Sequence, residues 1–299
     1  VADSHKFAVI GGSQAYDLLS SGAIKGRRLG TRKTPFGPSQ PIYVLQTGRG
    51  VQLNAPTEFL FLSRHGERGY EVSAPFVNYR ANIYALRDLG VRRVVAWSGP
   101  GAINPRYKVG QFVVVNDLID ETRDRPSTFF EKGGLGFVRQ HPVFCPGLRK
   151  LLVEVLRGQG LEVADQGVYV CTQGPRLETP AEIRKLASCG GDLVGMTLVP
   201  EVFLARELEM CYAPICYISN YAEGVVDRAF KAGELFEGLS SQEDKAAVAK
   251  AVAQFPAIIL EVARRQASED WGACPCQSLM ERYRRTGRIG EDWRRWIRR

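Results

Sequence analysis

The sequence has no apolar run approaching the roughly 18 residues a membrane span needs. Its opening stretch, "VADSHKFAVIGG", lacks the basic region, apolar core and small-residue site of a signal peptide. These absences predict a soluble chain with a cytoplasmic address and no membrane partner. There is no internal repeat, and no linker before about residue 266, so one domain over 1–265 with a basic extension over 266–299 is the economical organisation. A full G-x-G-x-x-G and the lysine of a P-loop are both missing: "IGGSQAY" at 10–16 offers only Gly11, Gly12 and Ser13 after a strand. A metal-binding cysteine framework is missing as well. Cys274 and Cys276 form a lone "CPC", too little by itself for zinc, which reads as two free thiols or a strained local disulfide. Cys145, Cys171, Cys189, Cys211 and Cys216 lie in or beside apolar segments, where cysteine behaves as a small hydrophobe.

What is present is enough for a sizeable core: 299 residues, 44% hydrophobic and 24% charged. The net charge of +8 is unevenly spread. Residues 281–299 carry eight arginines against Glu281, Glu291 and Asp292, and so contribute +5. The body is only mildly basic, which argues against a nucleic-acid partner. Trp293, Trp296 and Ile297 predict a tail that docks an apolar edge on its own or a neighbouring subunit, with arginines outward.

Strand-like and helical segments alternate. Apolar runs at 6–12, 58–66, 91–99, 111–120, 161–172, 192–196 and 212–219 read as strands. Helices are expected over 77–90, 146–157, from Thr179, over 199–208, and from near Ser240 with Glu243 completing a cap. This pattern predicts an α/β fold: a single-domain three-layer sandwich whose central mixed, twisted sheet is flanked by helices. Polar residues recur at the strand ends, where such sheets bind ligands: Ser13, Arg64 and His65, Ser98 and Gly99, Glu178, Met196 and Thr197, and Asn220.

The stretch "TQGPRLETPAEI" (172–183) contains two glutamates of different character. Thr179, Pro180 and Glu182 match a capping box, which makes Glu182 structural. Glu178 precedes the cap and points away from the scaffold. Arg64 is shaped for bidentate contact with phosphate. The bland reading of Asn220 is a strand-end asparagine satisfying a turn.

The segments "TPFGPSQP" (34–41), "FLSRHG" (61–66), "VNYRANIYALRDLG" (77–90), "TQGPRLETPAE" (172–182), "GMTLVPEVFLARE" (195–207) and "SNYAEG" (219–224) resemble the trimeric purine nucleoside phosphorylases, in the methylthioadenosine and methylthioinosine phosphorylase branch. The resemblance runs in order from about residue 6 to 265. It implies phosphorolysis of a purine nucleoside to free base and sugar 1-phosphate, with phosphate as co-substrate, no other cofactor and no metal, in a homotrimer or a dimer of trimers. It assigns Ser13, Arg64, His65, Ser98, the Gly99 backbone N–H and Thr197 to phosphate, and Met196 to the ribose. Leu177, Glu178, Asn220 and Ala222 then surround the base, with Glu178, Asn220 and His65 as the catalytic set. Methylthioadenosine phosphorylases characteristically place aspartates where this chain has Asn220 and Ala222, so the combination points to 6-oxopurines. Methylthioadenosine phosphorolysis and a catalytically silent purine-binding homologue are the alternatives. His141 or Phe137 is expected to close a neighbouring subunit's 5′ pocket, and Leu235 and Phe236 form either its apolar wall or helix core. The sugar stays open between 5′-methylthioinosine and inosine or guanosine. Gln14 stands where the family usually has glycine, and Ser98 replaces a more usual threonine or asparagine context; both changes could weaken phosphate binding.

Overall fold

The computed structural model describes residues 6–47, 57–227, 241–268, 271 and 273–297. Its larger sheet runs Val163–Ala164, Phe112–Val113, Cys211–Tyr217, Arg93–Ser98, Phe7–Gly11, Glu58–Ser63, Ile42–Gln46 and Arg27–Gly30. The middle is parallel, with Ile10 level with Ala96 on one side and Leu62 on the other, and the last two strands extend it in antiparallel fashion. All five residues of Phe7–Gly11 are buried because both faces of the sheet are covered. Phe7 and Val9 enter a core with Leu148, Leu152, Phe255 and Ile259. Ala8 and Ile10 enter another with Ile83, Leu86, Val202 and Leu204. Helices Pro146–Gly158 and Gln242–Ser268 therefore form one outer layer, and Tyr79–Asp88 and Glu201–Glu207 the other.

A second sheet, Asp117–Glu121, Val168–Thr172, Leu193–Gly195, Gly101–Ala102 and Asn220–Tyr221, stands beside the first. Two runs expected as single strands, 111–120 and 161–172, each break and pass from one sheet into the other. They travel together: Val163 pairs with Phe112 before the break, and Val168 with Asp117 after it. Asn116 bridges the gap by bonding the backbone of Gly167 through both its N–H and its side chain. The breaks fall at Asn116 and at Asp165–Gln166–Gly167, short polar and glycine interruptions that the sequence reading passed over in joining each run into one strand.

Thr179 and Glu182 form the expected capping box on Pro180–Ser188. The last long helix is capped one residue later than anticipated: Ser241 and Asp244 bond each other's backbone N–H groups. This helix, Gln242–Ser268, has a window of mean hydropathy 1.6, long and apolar enough by composition to cross a membrane. Here Phe255, Ile258, Ile259 and Val262 pack into the core, and Pro256 lies inside the helix. The expectation that no such run exists is corrected in that respect. Helix and tail also share a boundary less sharp than residue 266, since the helix continues to Ser268.

The tail docks on its own chain. Trp293 and Trp296 are 6% and 3% exposed, and Trp293 packs edge-on to Tyr84 at 5.0 Å and under the Arg87 guanidinium at 5.2 Å. Arg284 pairs with the buried Glu209 at 2.7 Å, and Arg294 bonds Asp88 at 2.8 Å.

Candidate active site

Strand Arg93–Ser98 leaves the large sheet and re-enters the small one at Gly101–Ala102; Cys211–Tyr217 does the same at Asn220–Tyr221. These adjacent crossings open a cavity of about 440 Å³ between the sheets. Ser13, Ser98, Gly99, Leu177, Glu178, Met196, Thr197, Asn220 and Ala222 all line it. They arrive from five separated segments, because each follows a strand that ends at this seam.

Hydroxyl groups gather on one side. Ser98 Oγ lies 3.3 Å from Thr197 Oγ1 and 3.1 Å from the hydroxyl of Tyr169, which is fully buried. Ser13 is held by the Trp97 indole N–H, which donates to its carbonyl at 3.2 Å. Gly12 permits this approach, since a Cβ there would lie 2.3 Å from the Trp97 carbonyl oxygen. Gln14, at the departure from the glycine-rich pattern, takes φ 67°, a left-handed backbone that favours glycine.

On the other side, Glu178 accepts from Thr172 Oγ1 at 2.6 Å, while its second oxygen has no bond among the described residues. Glu178 stands between this cavity and a neighbouring one of about 330 Å³ lined by Gln173, Arg176 and Lys185. Asn220 accepts from Ser219 Oγ at 2.7 Å and donates one amide hydrogen to the Tyr221 carbonyl at 2.7 Å. The turn-satisfying reading of Asn220 is thus met by half of its amide, and its other N–H remains available to the cavity it lines.

Arg64, His65 and His141 do not line the cavity. Arg64 is fully buried, and its bidentate edge is taken by Glu201, at 2.8 and 2.7 Å, with Tyr212 donating to the same carboxylate. Burial alone would lower the arginine's pKa; the opposing Glu201 charge outweighs it and holds it above the usual value. The fork of Nε and Nη2 is thus occupied by Glu201, while Nη1 donates to the Trp97 carbonyl at 3.3 Å and lies 3.2 Å from where a Cβ on Gly12 would stand. His65 is buried behind Tyr70, ring stacked on ring at 4.2 Å. Its Nδ1 lies 2.8 Å from the Val72 carbonyl, which fixes the proton there, and Nε2 is a buried acceptor without a partner among the described residues. Burial, and then the Arg64 charge, push its pKa down to about 4. His141 is exposed and Phe137 is 79% exposed, so neither reaches the site of its own chain. Leu235 and Phe236 fall outside the described residues.

Sequence reasoning missed the cavity-lining Tyr70, Ser73, Gly195 and Glu223. It also missed Arg125, 8% exposed, whose guanidinium bonds the carbonyls of Thr172, Gln173, Met196 and Val199. That side chain ties the wall bearing Glu178 to the wall bearing Met196 and Thr197. A single arginine in a loop carries no sequence signal for this.

With this arrangement of hydroxyls, amide and carboxylate at one seam, residues 6–264 match the Phosphorylase superfamily. The chain belongs to that superfamily. Among curated relatives, this phosphorylase chain is 39% identical over 246 residues to the 6-oxopurine nucleoside phosphorylase of Pyrococcus furiosus, covering 80% of this chain and 88% of the relative. It is 38% identical over 273 residues to a probable S-methyl-5′-thioinosine phosphorylase of Methanothermobacter thermautotrophicus, covering 91% and 88%. Among solved structures, the phosphorylase fold aligns with the methylthioadenosine phosphorylase of Schistosoma mansoni in complex with tubercidin at a TM-score of 0.74 and 28% identity, over 90% of this chain and 94% of that one.

Proposed function

We infer that this chain is a purine nucleoside phosphorylase that cleaves the N-glycosidic bond of 6-oxopurine nucleosides with inorganic phosphate. The observation that carries the reading is the shared cavity: Glu178 and Asn220 line the same space as Ser13, Ser98 and Thr197. A relative named for 6-oxopurine nucleosides and one named for methylthioinosine support the base class and leave both sugars in play.

In this reading a phosphate oxygen bonds to ribose C1′ while the C1′–N9 bond breaks, the purine leaves with the bonding pair, and the proton of monohydrogen phosphate balances the neutral base. Positive charge grows on the sugar and negative charge on the purine. Ser13, Ser98, Thr197 and the Gly99 N–H hold the phosphate against the first. The free amide N–H of Asn220 donates to N7 or O6 as charge collects there, and the open oxygen of Glu178 accepts N1–H. Met196 lies under the ribose, and Leu177 and Ala222 flank the base. Arg64 acts one layer back, as a fixed positive charge behind the Gly12 turn rather than as a clamp. His65 stays neutral behind Tyr70 and offers Nε2 to the protonated phosphate oxygen through one water. The chemistry asks for no cofactor beyond phosphate.

A homotrimer or dimer of trimers, and a cytoplasmic location, belong to the same reading. Phe76 and Phe137, 76% and 79% exposed, are large apolar side chains on which a neighbouring subunit can close. The function is tested by incubating inosine with the enzyme and phosphate and following phosphorus NMR: ribose 1-phosphate appears in step with hypoxanthine. Free ribose in its place would assign a hydrolase.

A further inference from the structure

Four cysteines from three separate parts of the sequence converge at a place none of the preceding chemistry uses. The sulfurs of Cys145, Cys211, Cys274 and Cys276 all lie within 4.8 Å of one another, and those of Cys145 and Cys274 are 3.7 Å apart. All four are free thiols, and none lines the active-site cavity. A tetrahedral ion with metal–sulfur bonds of about 2.3 Å requires sulfur–sulfur edges of about 3.8 Å. The expectation of an isolated pair beside unrelated small hydrophobes is thus overturned by the fold. Cys145 immediately precedes helix Pro146–Gly158 and Cys211 begins a central strand, held together by the Cys145 N–H bond to the Tyr212 carbonyl at 2.9 Å. The extension brings Cys274 and Cys276 to them through the Pro275–Ser278 turn.

The surroundings are built for negative charge. Arg206 is 3% exposed and donates to the carbonyls of Val143 and Arg139, while its buried Nε–H has no hydrogen-bond partner among the described residues. Its guanidinium lies beside Cys276, Cys145 and Cys211, and among the described residues no carboxylate pairs with it. A buried cation with no anion is costly. Cys145 also sits at the start of a 13-residue helix, where unpaired N–H groups favour a thiolate.

We propose that Cys145, Cys211, Cys274 and Cys276 bind one Zn²⁺ as a closed tetrathiolate site that fastens the C-terminal extension to the core. Soft thiolates in a single tetrahedral set select zinc, and four protein ligands leave no position open for substrate, which makes the site structural. Binding releases four protons, and the resulting complex of charge −2 meets the Arg206 guanidinium and the helix N-terminus. The metal fixes the tail just ahead of Glu281–Arg285 and the buried tryptophans.

The test is the metal content of the full chain, expressed in zinc-supplemented medium and purified with reductant and without chelator. Mass spectrometry of the digested protein should give close to one zinc per chain, released when the thiols are titrated with a mercurial. Cadmium exchanged into the wild-type protein should give the ¹¹³Cd NMR shift of four thiolates, which keeps the test independent of whether any variant folds. Cys274→Ser and Cys276→Ser should each lose zinc to a competing chelator at least about tenfold more readily, whereas Cys189→Ser, exposed and outside the cluster, retains it. Fewer than about one ion in ten wild-type chains would overturn the proposal. So would thiol-trapped peptide mapping that finds the four sulfurs paired as two disulfides. Neither result bears on the phosphorolysis reading, because none of these residues lines its cavity.

Discussion

Replacing Asn220 by aspartate isolates a single donor. The Asn220 amide has two N–H bonds; one goes to the Tyr221 carbonyl at 2.7 Å, and the other serves the leaving purine. Its oxygen already accepts from Ser219, a bond that aspartate preserves. A carboxylic acid has one donor where the amide has two, so it can satisfy Tyr221 or the base, and an ionised carboxylate satisfies neither. On a 6-oxopurine the variant forfeits one hydrogen bond and sets an acceptor against O6, a loss of about 1–3 kcal/mol, or about 5- to 150-fold in kcat/KM. On a 6-aminopurine the same oxygen accepts from the amino group, so the loss is smaller and the preference moves toward adenosine-type substrates. The assay is kcat/KM for inosine and adenosine at saturating phosphate, wild type beside Asn220→Asp, with folding checked by melting temperature. An unchanged inosine-to-adenosine ratio in a folded variant refutes the role assigned to the amide.

Three further outcomes follow from the same contacts. Only three histidines occur in the chain, so carbon–proton NMR can follow His65; its ring should stay neutral until the pH approaches 4. Because its folded-state pKa lies below the unfolded 6.5, its contribution to stability is intact above pH 6.5 and declines as pH falls toward 4, by up to about 3 kcal/mol; titration of His65 near 6.5 contradicts this. Arg125→Lys removes the planar fork that joins four carbonyls, and should lower stability by at least about 3 kcal/mol while raising KM for nucleoside more than it lowers kcat. Wild-type melting and KM would show that the two walls hold without it. Trp293→Ala, which empties the space between Tyr84 and Arg87, should cost about 3–5 kcal/mol in urea unfolding; a cost under about 1 kcal/mol would mean the tail is only loosely seated.

What the sequence made legible depended on whether the physical cause was local. The Thr179–Glu182 cap and the buried strand Phe7–Gly11 are written within a few positions of each other, and the fold has both; of the polar residues at strand ends, Ser13, Ser98, Glu178, Thr197 and Asn220 line one cavity and Arg64 and His65 do not. Arg64 shows the limit of that reasoning. Its chemistry suits phosphate, but its partner Glu201 lies 137 residues away, and only the packing of Glu201–Glu207 under the sheet brings the two together. Tyr169 falls within the run 161–172 expected as a strand, and its hydroxyl becomes a neighbour of Ser98 only because the two sheets meet. The cysteine cluster spans residues 145–276, and only the Cys274–Cys276 pair is marked by its spacing; nothing local joins Cys145 or Cys211 to it.

The central claim is that one cavity holds a phosphate and a 6-oxopurine nucleoside for displacement at C1′. Its most direct test is base release from inosine, guanosine, 5′-methylthioinosine, adenosine and 5′-methylthioadenosine, each with and without phosphate. The account predicts release that requires phosphate and favours the 6-oxopurines. Release without phosphate, or 6-aminopurine nucleosides cleaved as fast as their 6-oxo counterparts, would contradict it.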